Sequence, residues 1–415
     1  MEPTATSFSA LLRERNSGDG SKAQWQRRGR MKTIAAHFLI AAAVTLATAP
    51  GHAQIFTVIA TVGQTPVSGP VTRDVEGNIY GATSYSNQSC NQSTYCGDIY
   101  KVDPTGKLTV LYNFRGQPDG AMAMPGLVRD GSGNLYGTTE YGGTYNFGTV
   151  FKLDPAGNET ILHSFAGPPN DGEGPLAGLI ADSQGNLYGT TEEGGLRTNC
   201  SFGCGTVFKV TPAGKETVLY SFNGGTDGAA PWGASLVLSG GALYGTTLVG
   251  GNTNGICQGQ GFVPGCGTVF KLDKTGETVL HRFIGTDGLG PVAGVIRDSA
   301  GNLYGTATGG GDLTCNSGFG CGVVYKLDSS GNETVLHTFE AQHDGQSPTA
   351  ALTFDQGVLY GSSEGIFQGG GIFQVNSSGN FAMVYPLPAG TSTMIRDSEG
   401  NLYGVYNGQV FRFAP

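Results

Sequence analysis

The residues of this chain that could do chemistry are few, and they cluster beside glycines. Glu140, Glu192, Glu193 and Glu364 each follow a run of the form LYGTT or LYGSS. Paired carboxylates are the minimum equipment for glycoside hydrolysis, but nothing in the sequence sets their separation. Five aspartates stand in Asp-Gly steps, at Asp119, Asp171, Asp227, Asp287 and Asp344, each followed shortly by a proline. A ring of such carboxylates could hold cations or a polyol. A calcium loop, however, needs several oxygen ligands at close alternate spacing, and each step offers one. Turn chemistry is the simpler reading, with Asp accepting backbone hydrogen bonds and Gly taking positive φ. Trp232, Tyr141, Tyr145, Phe147 and Phe262 could stack on sugar rings or simply pack their loops. His343, next to Asp344, is the one histidine in such a segment. His163, His281 and His337 share a slot that Tyr112 and Tyr220 also fill, so packing is expected of them. There is no Ser-His-Asp set, nucleophile elbow or P-loop. No catalytic residue, metal or cofactor is therefore assigned. The candidate ligand-binding residues are Trp232, Tyr141, Tyr145, Glu192, Glu193 and His343.

The cysteines and the N-terminus indicate a compartment. All eight cysteines fall in close pairs: Cys90/Cys96, Cys200/Cys204, Cys257/Cys266 and Cys315/Cys321. An even count in local pairs favours disulfides. Zinc is the competing reading, but no Cys-x2-Cys occurs and no His lies beside any pair. Residues 1–30 are polar and basic, read as an upstream extension. "MKTIAAHFLIAAAVTLATAPGHAQ", over residues 31–53 and the residue after, has the charged start, apolar stretch and small residues of a secretory signal. The remaining residues 54–415 hold 16 basic and 29 acidic side chains, a formal charge of −13. That argues against nucleic acid and anionic membranes as partners. No later segment is apolar enough to span a bilayer. A secreted protein, extracellular or periplasmic, and monomeric, is expected.

The candidate residues must be positioned by something repetitive. "DSQGNLYGTT" at residues 182–191 returns as "DGSGNLYGTT" from Asp130, "DSAGNLYGTA" from Asp298 and "DSEGNLYGVY" from Asp397. The tyrosine of this phrase recurs at 80, 136, 188, 244, 304, 360 and 403. Seven copies at a period near fifty predict a propeller or a solenoid. Within one copy, "LAGLIAD", "NLYGTT", "GTVFKVT" and "TVLYSF" read as four strands, with tight turns at "DSQG" and "PAGKE". Apolar residues on both faces suit sheets sandwiched between neighbours. The final copy lacks a fourth strand, and residues 55–62 supply a spare one at the N-terminus. Pairing the two would remove both open edges. The expected fold is an all-β, seven-bladed β-propeller of four-stranded antiparallel blades over residues 54–415, closed by the N-terminal strand. An open β-solenoid is the alternative.

The units "GNLYGTT…GG…GTVFKLD…G.ETVLHSF…DG..P.AGL" resemble the Gloeobacter–Verrucomicrobia tandem repeat of bacterial secreted proteins, across nearly all of residues 55–415. The resemblance implies export and repetition and supplies no catalytic residues. In such a propeller the variable loops after each second strand share a face with the Asp-Gly connections, and the tight turns lie on the other. Function is expected on the loop face. The expectation is a non-catalytic binding module for an extracellular glycan or protein. The alternative is a propeller lyase or hydrolase acting on extracellular polysaccharide.

Overall fold

A computed structural model describes residues 54–63, 69–85, 96–233, 235–259, 263–365 and 369–415. The leader reading of residues 1–53, Cys90 and Phe262 lie outside the described residues. Seven sheets, each with a run of four antiparallel strands, form the seven blades of a β-propeller. Blade 3 is representative. From the axis outward it consists of Ile180–Ala181, Leu187–Thr191, Thr206–Val210 and Glu216–Ser221. In blade 7 the inner three strands are Ile395–Arg396, Leu402–Tyr406 and Gln409–Ala414, and the outer strand is Ile55–Thr61 from the start of the described chain.

Most residues of the repeated phrase have a definite task in the fold. Asp182 Oδ1 accepts the backbone N–H groups of Gln184 and Asn186, both at 2.9 Å. Its Oδ2 accepts Asn186 Nδ2 at 2.7 Å and the Tyr188 hydroxyl at 3.0 Å. One carboxylate thus closes the turn and ties it to the following strand, an extended Asx-turn. Leu187 is buried in the core. Thr191 shares a hydrogen bond with Thr206 across the sheet, and Thr190 donates to the Pro231 carbonyl of the next blade. Gly189 is required by packing: a Cβ there would lie 2.6 Å from Cζ of Phe208, whose ring covers the strand. Gly189→Ala is expected to cost about 1–3 kcal/mol through overpacking, read as a lowered urea midpoint at unchanged slope.

Blades are glued by aromatic rings. Phe165, leaving the outer strand of blade 2, is fully buried and meets Phe208 of blade 3 edge-on at 5.1 Å. Phe114/Phe151, Phe222/Phe270, Phe283/Tyr325 and Phe339/Phe373 repeat the contact at 5.0–5.3 Å. Edge-to-face packing suits rings at these separations. A β-bulge interrupts the pairing of third and fourth strands in every blade, for example between Val207 and Phe208. Bulges increase local twist. At the axis the inner strands touch. Gly126 donates its N–H to the Pro70 carbonyl and accepts from Leu179, and a Cβ on Gly126 would come within 2.7 Å of Gly178 Cα.

Candidate functional site

The Asp-Gly aspartates are structural. Asp171 Oδ2 accepts His163 Nε2 at 3.0 Å and the Ala166 N–H at 2.8 Å, while Oδ1 accepts the Gly172 N–H. Tyr112/Asp119, Tyr220/Asp227, His281/Asp287 and His337/Asp344 repeat the pairing. This corrects the packing-only reading of the three histidines: His and Tyr exchange because either can donate to the same carboxylate. Glu216 of blade 3 joins His163 and Asp171, with ligand atoms mutually within 4.8 Å. The equivalent Glu277 stands by Tyr220 and Asp227, where a tyrosine takes the place of the histidine. The triangle is therefore a recurring contact between blades. Burial, with the neighbouring aspartate adding to it, pushes Glu159, Glu216 and Glu277 up to about 7, and burial does the same for Glu333.

Among the described residues, three local disulfides are present: Cys200–Cys204, Cys257–Cys266 and Cys315–Cys321. They do more than close loops. The carbonyls of Cys204, Cys266 and Cys321 accept the backbone N–H of Ala230, Gly290 and Ser347, each in the connection to the next blade. Cys96 does the same for Met122.

On the loop face one feature breaks the repeat. Each Asp-Gly connection pairs, antiparallel, with the extension of the second strand that follows it. Opposed residues are Ala121/Tyr141 at blade 2, Ala229/Val249 at blade 4, Leu289/Gly309 at blade 5 and Gln346/Glu364 at blade 6. At blade 3 they are Glu173 and Glu193. Like charges directly opposite destabilise a sheet. Glu192, beside them, is only 6% exposed. Burial and then Glu193, Glu140 and Glu173 raise its carboxyl well above the usual range. Glu173 is pushed up to about 7 by burial and Glu193, with Arg197 opposing. Glu193 is raised by burial and Glu140. The arrangement crowds several carboxylates and keeps part of them protonated near neutrality.

The remaining candidates are scattered. Tyr141 lies on the strand extension next to Glu140, and Tyr145 is 57% exposed on the loop beyond. Trp232 is half-buried in the connection from blade 3 to blade 4, its Nε1 without a hydrogen-bond partner. His343 and Glu364 belong to blade 6: His343 is exposed and pairs with Glu340 at 3.0 Å, and Glu364 exchanges backbone hydrogen bonds with Gln346. Glu192 and Glu193 are brought together, and they meet two further glutamates, Glu140 and Glu173. Sequence reasoning missed Glu173. Its signal was the lone acid in the position after "DG", where the other connections carry Ala, Ala, Leu and Gln.

Residues 43–203 and 196–413 match the Gloeobacter/Verrucomicrobia repeat. The chain belongs to this family. No curated protein matches the sequence. Among solved structures, virginiamycin B lyase from Staphylococcus aureus is similar with a TM-score of 0.56 and 14% identity, over 87% of this chain and 99% of that one. A streptogramin B lyase is similar with a TM-score of 0.55 and 13% identity, over 87% and 97%. At such identities the likeness is one of fold, the propeller, and propellers host many unrelated functions. In this chain the departures from strict repetition are what single out a site. Among the described residues, no helix is long and apolar enough to cross a membrane.

Proposed function

We propose that this Gloeobacter/Verrucomicrobia-repeat propeller is a secreted, non-catalytic binding module whose loop face takes a cationic protein segment. One observation carries the reading: Glu173 and Glu193 are directly opposed where no sibling blade among the described residues opposes two charges, with Glu140 and Glu192 beside them. An approaching ammonium or guanidinium would relieve that repulsion. The surrounding charge supports it. The loop-face segments carry Arg115, Arg197 and Arg282 as their only Lys or Arg residues, against the five Asp-Gly aspartates and six glutamates. Such a field steers cations toward the face. The disulfides fit an oxidising compartment. Oligolysine binding, followed by calorimetry, is expected to weaken steeply with salt and to fall at least tenfold in Glu173→Gln/Glu193→Gln. Affinity indifferent to that double variant would refute the assignment of the site.

A second reading rests on Glu192. A buried carboxyl held well above its usual range beside a more exposed one is the equipment of a general acid and base, which would suit a polysaccharide hydrolase or lyase. Oligosaccharide release from extracellular polysaccharides, abolished by Glu192→Gln, would decide for it.

A further inference from the structure

The turn face holds an open pocket of about 570 Å³ where blades 7, 1 and 2 meet. Its wall includes Arg73, Asp74, Val75, Arg129, Asp130 and Ser398. Arg73 and Arg129 occupy the last position of their inner strands, as do Arg297 and Arg396 in blades 5 and 7. The latter two have polar partners within the fold, although the buried Arg396 Nε, like those of Arg73 and Arg129, makes no hydrogen bond. Arg396 Nε lies 2.8 Å from Asp355 Oδ2, and Arg297 Nη1 donates to the Ser239 hydroxyl at 2.9 Å. Arg73 and Arg129 enter no ion pair among the described residues, and the Nε of each is buried without a hydrogen-bond partner. Each guanidinium is held over a tyrosine of the preceding blade, Arg73 at 5.0 Å from the Tyr403 ring and Arg129 at 5.6 Å from that of Tyr80. Stacking orients a guanidinium without using its donors.

The aspartates of the same wall do not neutralise them by contact. Asp74 accepts the Asn78 N–H, Asn78 Nδ2 and the Tyr80 hydroxyl, and Asp130 is engaged likewise by Ser132, Asn134 and Tyr136. The result is two pre-oriented guanidinium groups in the wall of one pocket, neither in an ion pair, and the pocket is within the size range of small-molecule sites. A carboxylate matches a guanidinium in a bidentate pair. The nearby Asp74 and Asp130 charges disfavour a dianion. They and the exposed Ser398 hydroxyl offer partners for sugar hydroxyls, and Val75, 96% exposed at the rim, offers an apolar surface to a ring face. We propose that this pocket binds a carboxylate carried on a sugar, the uronic acid unit of an acidic saccharide. The proposal concerns the face opposite the glutamate cluster and stands independently of it.

Digalacturonate titrated into the full chain, followed by calorimetry and saturation-transfer NMR, tests this. Saturable binding is expected, at least tenfold weaker for neutral galactobiose. Arg73→Gln and Arg129→Gln should each weaken it at least tenfold, while Arg297→Gln, which loses the same kind of tyrosine stacking outside the pocket, and Glu173→Gln/Glu193→Gln should leave it unchanged. Three results would overturn the proposal: no saturable binding to the unaltered protein, equal loss in Arg297→Gln, or equal competition by inorganic phosphate or by a tripeptide with a free C-terminus. The wild-type comparison of the two disaccharides keeps the test decisive if a variant fails to fold.

Discussion

Deleting residues 54–63 should abolish the cooperative unfolding transition of the propeller at ambient temperature. Ile55–Thr61 is the outer strand of blade 7, paired antiparallel with Gln409–Ala414. Phe56 stacks at 4.8 Å on both Tyr385 of blade 6 and Phe411 of blade 7. Ile59, Ala60 and Val62 pack on a cluster that joins Tyr403, Val405 and Val410 to Val71, Ile79, Tyr100 and Val102 of blade 1. The deletion would therefore bare a sheet edge and loosen the contacts of blade 7 with both neighbours. Burying one large apolar side chain is worth roughly 1.5–3 kcal/mol, and several are involved, against a typical total stability of about 5–15 kcal/mol. Phe56→Ala alone should cost about 3 kcal/mol, the low end for a phenylalanine because Phe56 is only half-buried. Urea midpoints check both. A deletion variant with an unchanged midpoint would mean that ring closure contributes nothing and that the blades stand as an open array.

The second large effect is on pH. Glu159, Glu216, Glu277 and Glu333 are pushed up to about 7 in the folded protein, mainly by burial. An unfolded glutamate titrates near ~4.3. Between those values the native state binds protons that the unfolded chain releases. Stability must then fall as pH rises from about 4.3 to 7, and level off above. Glu173 and Glu192 act in the same direction. The turn aspartates oppose this at the acid end. Hydrogen bonds from asparagine and tyrosine hold Asp74, Asp130, Asp182, Asp298 and Asp397 below the usual carboxylate range, against the effect of burial. Their contribution is present above the unfolded value near ~3.9 and is lost as pH falls below it. Maximum stability is expected between about pH 4 and 5. The four outer-strand glutamates are half-exposed, so solvent screening reduces each to roughly 1 kcal/mol, about 4 kcal/mol together across the window. Urea midpoints at pH 4.5, 6 and 8 should decline in that order. Replacing all four by glutamine should flatten the slope, and a midpoint that rises from pH 5 to 8 would contradict the account.

The repeated phrase was legible because its work is local. Asp182, Gly185, Asn186 and Tyr188 lie within six residues of one another and complete their hydrogen bonds inside one turn and strand. Four strands per repeat, the bladed architecture and the spare N-terminal strand followed from the same periodicity. The bulge before each outer strand was not legible, since "TVLYSF" carries no mark of where pairing slips. Nor was the task of His163. Its exchange with tyrosine elsewhere suggested packing, and only the position of Asp171 shows that both residue types answer one carboxylate.

The candidate site divides the same way. Glu192 and Glu193 are adjacent in the chain and could be nominated on sight, but Glu173 meets them through a strand register that no short window contains. His343 met the same sequence criteria but belongs to blade 6, because blade number decides which loops are neighbours. The pocket of Arg73 and Arg129 makes the contrast plainest. "TRD" and "VRD" look interchangeable with the "IRD" of blades 5 and 7. What partners an arginine has depends on what the preceding blade presents: Asp355 to Arg396, Ser239 and the Tyr244 ring to Arg297, but only tyrosine rings to Arg73 and Arg129 among the described residues. Turns and strands are chosen by hydrogen bonds between near neighbours in the chain, so the residues alone specify them. Which side chains are left unpaired is chosen by contacts across blade boundaries, and those exist only once the ring has brought distant repeats side by side.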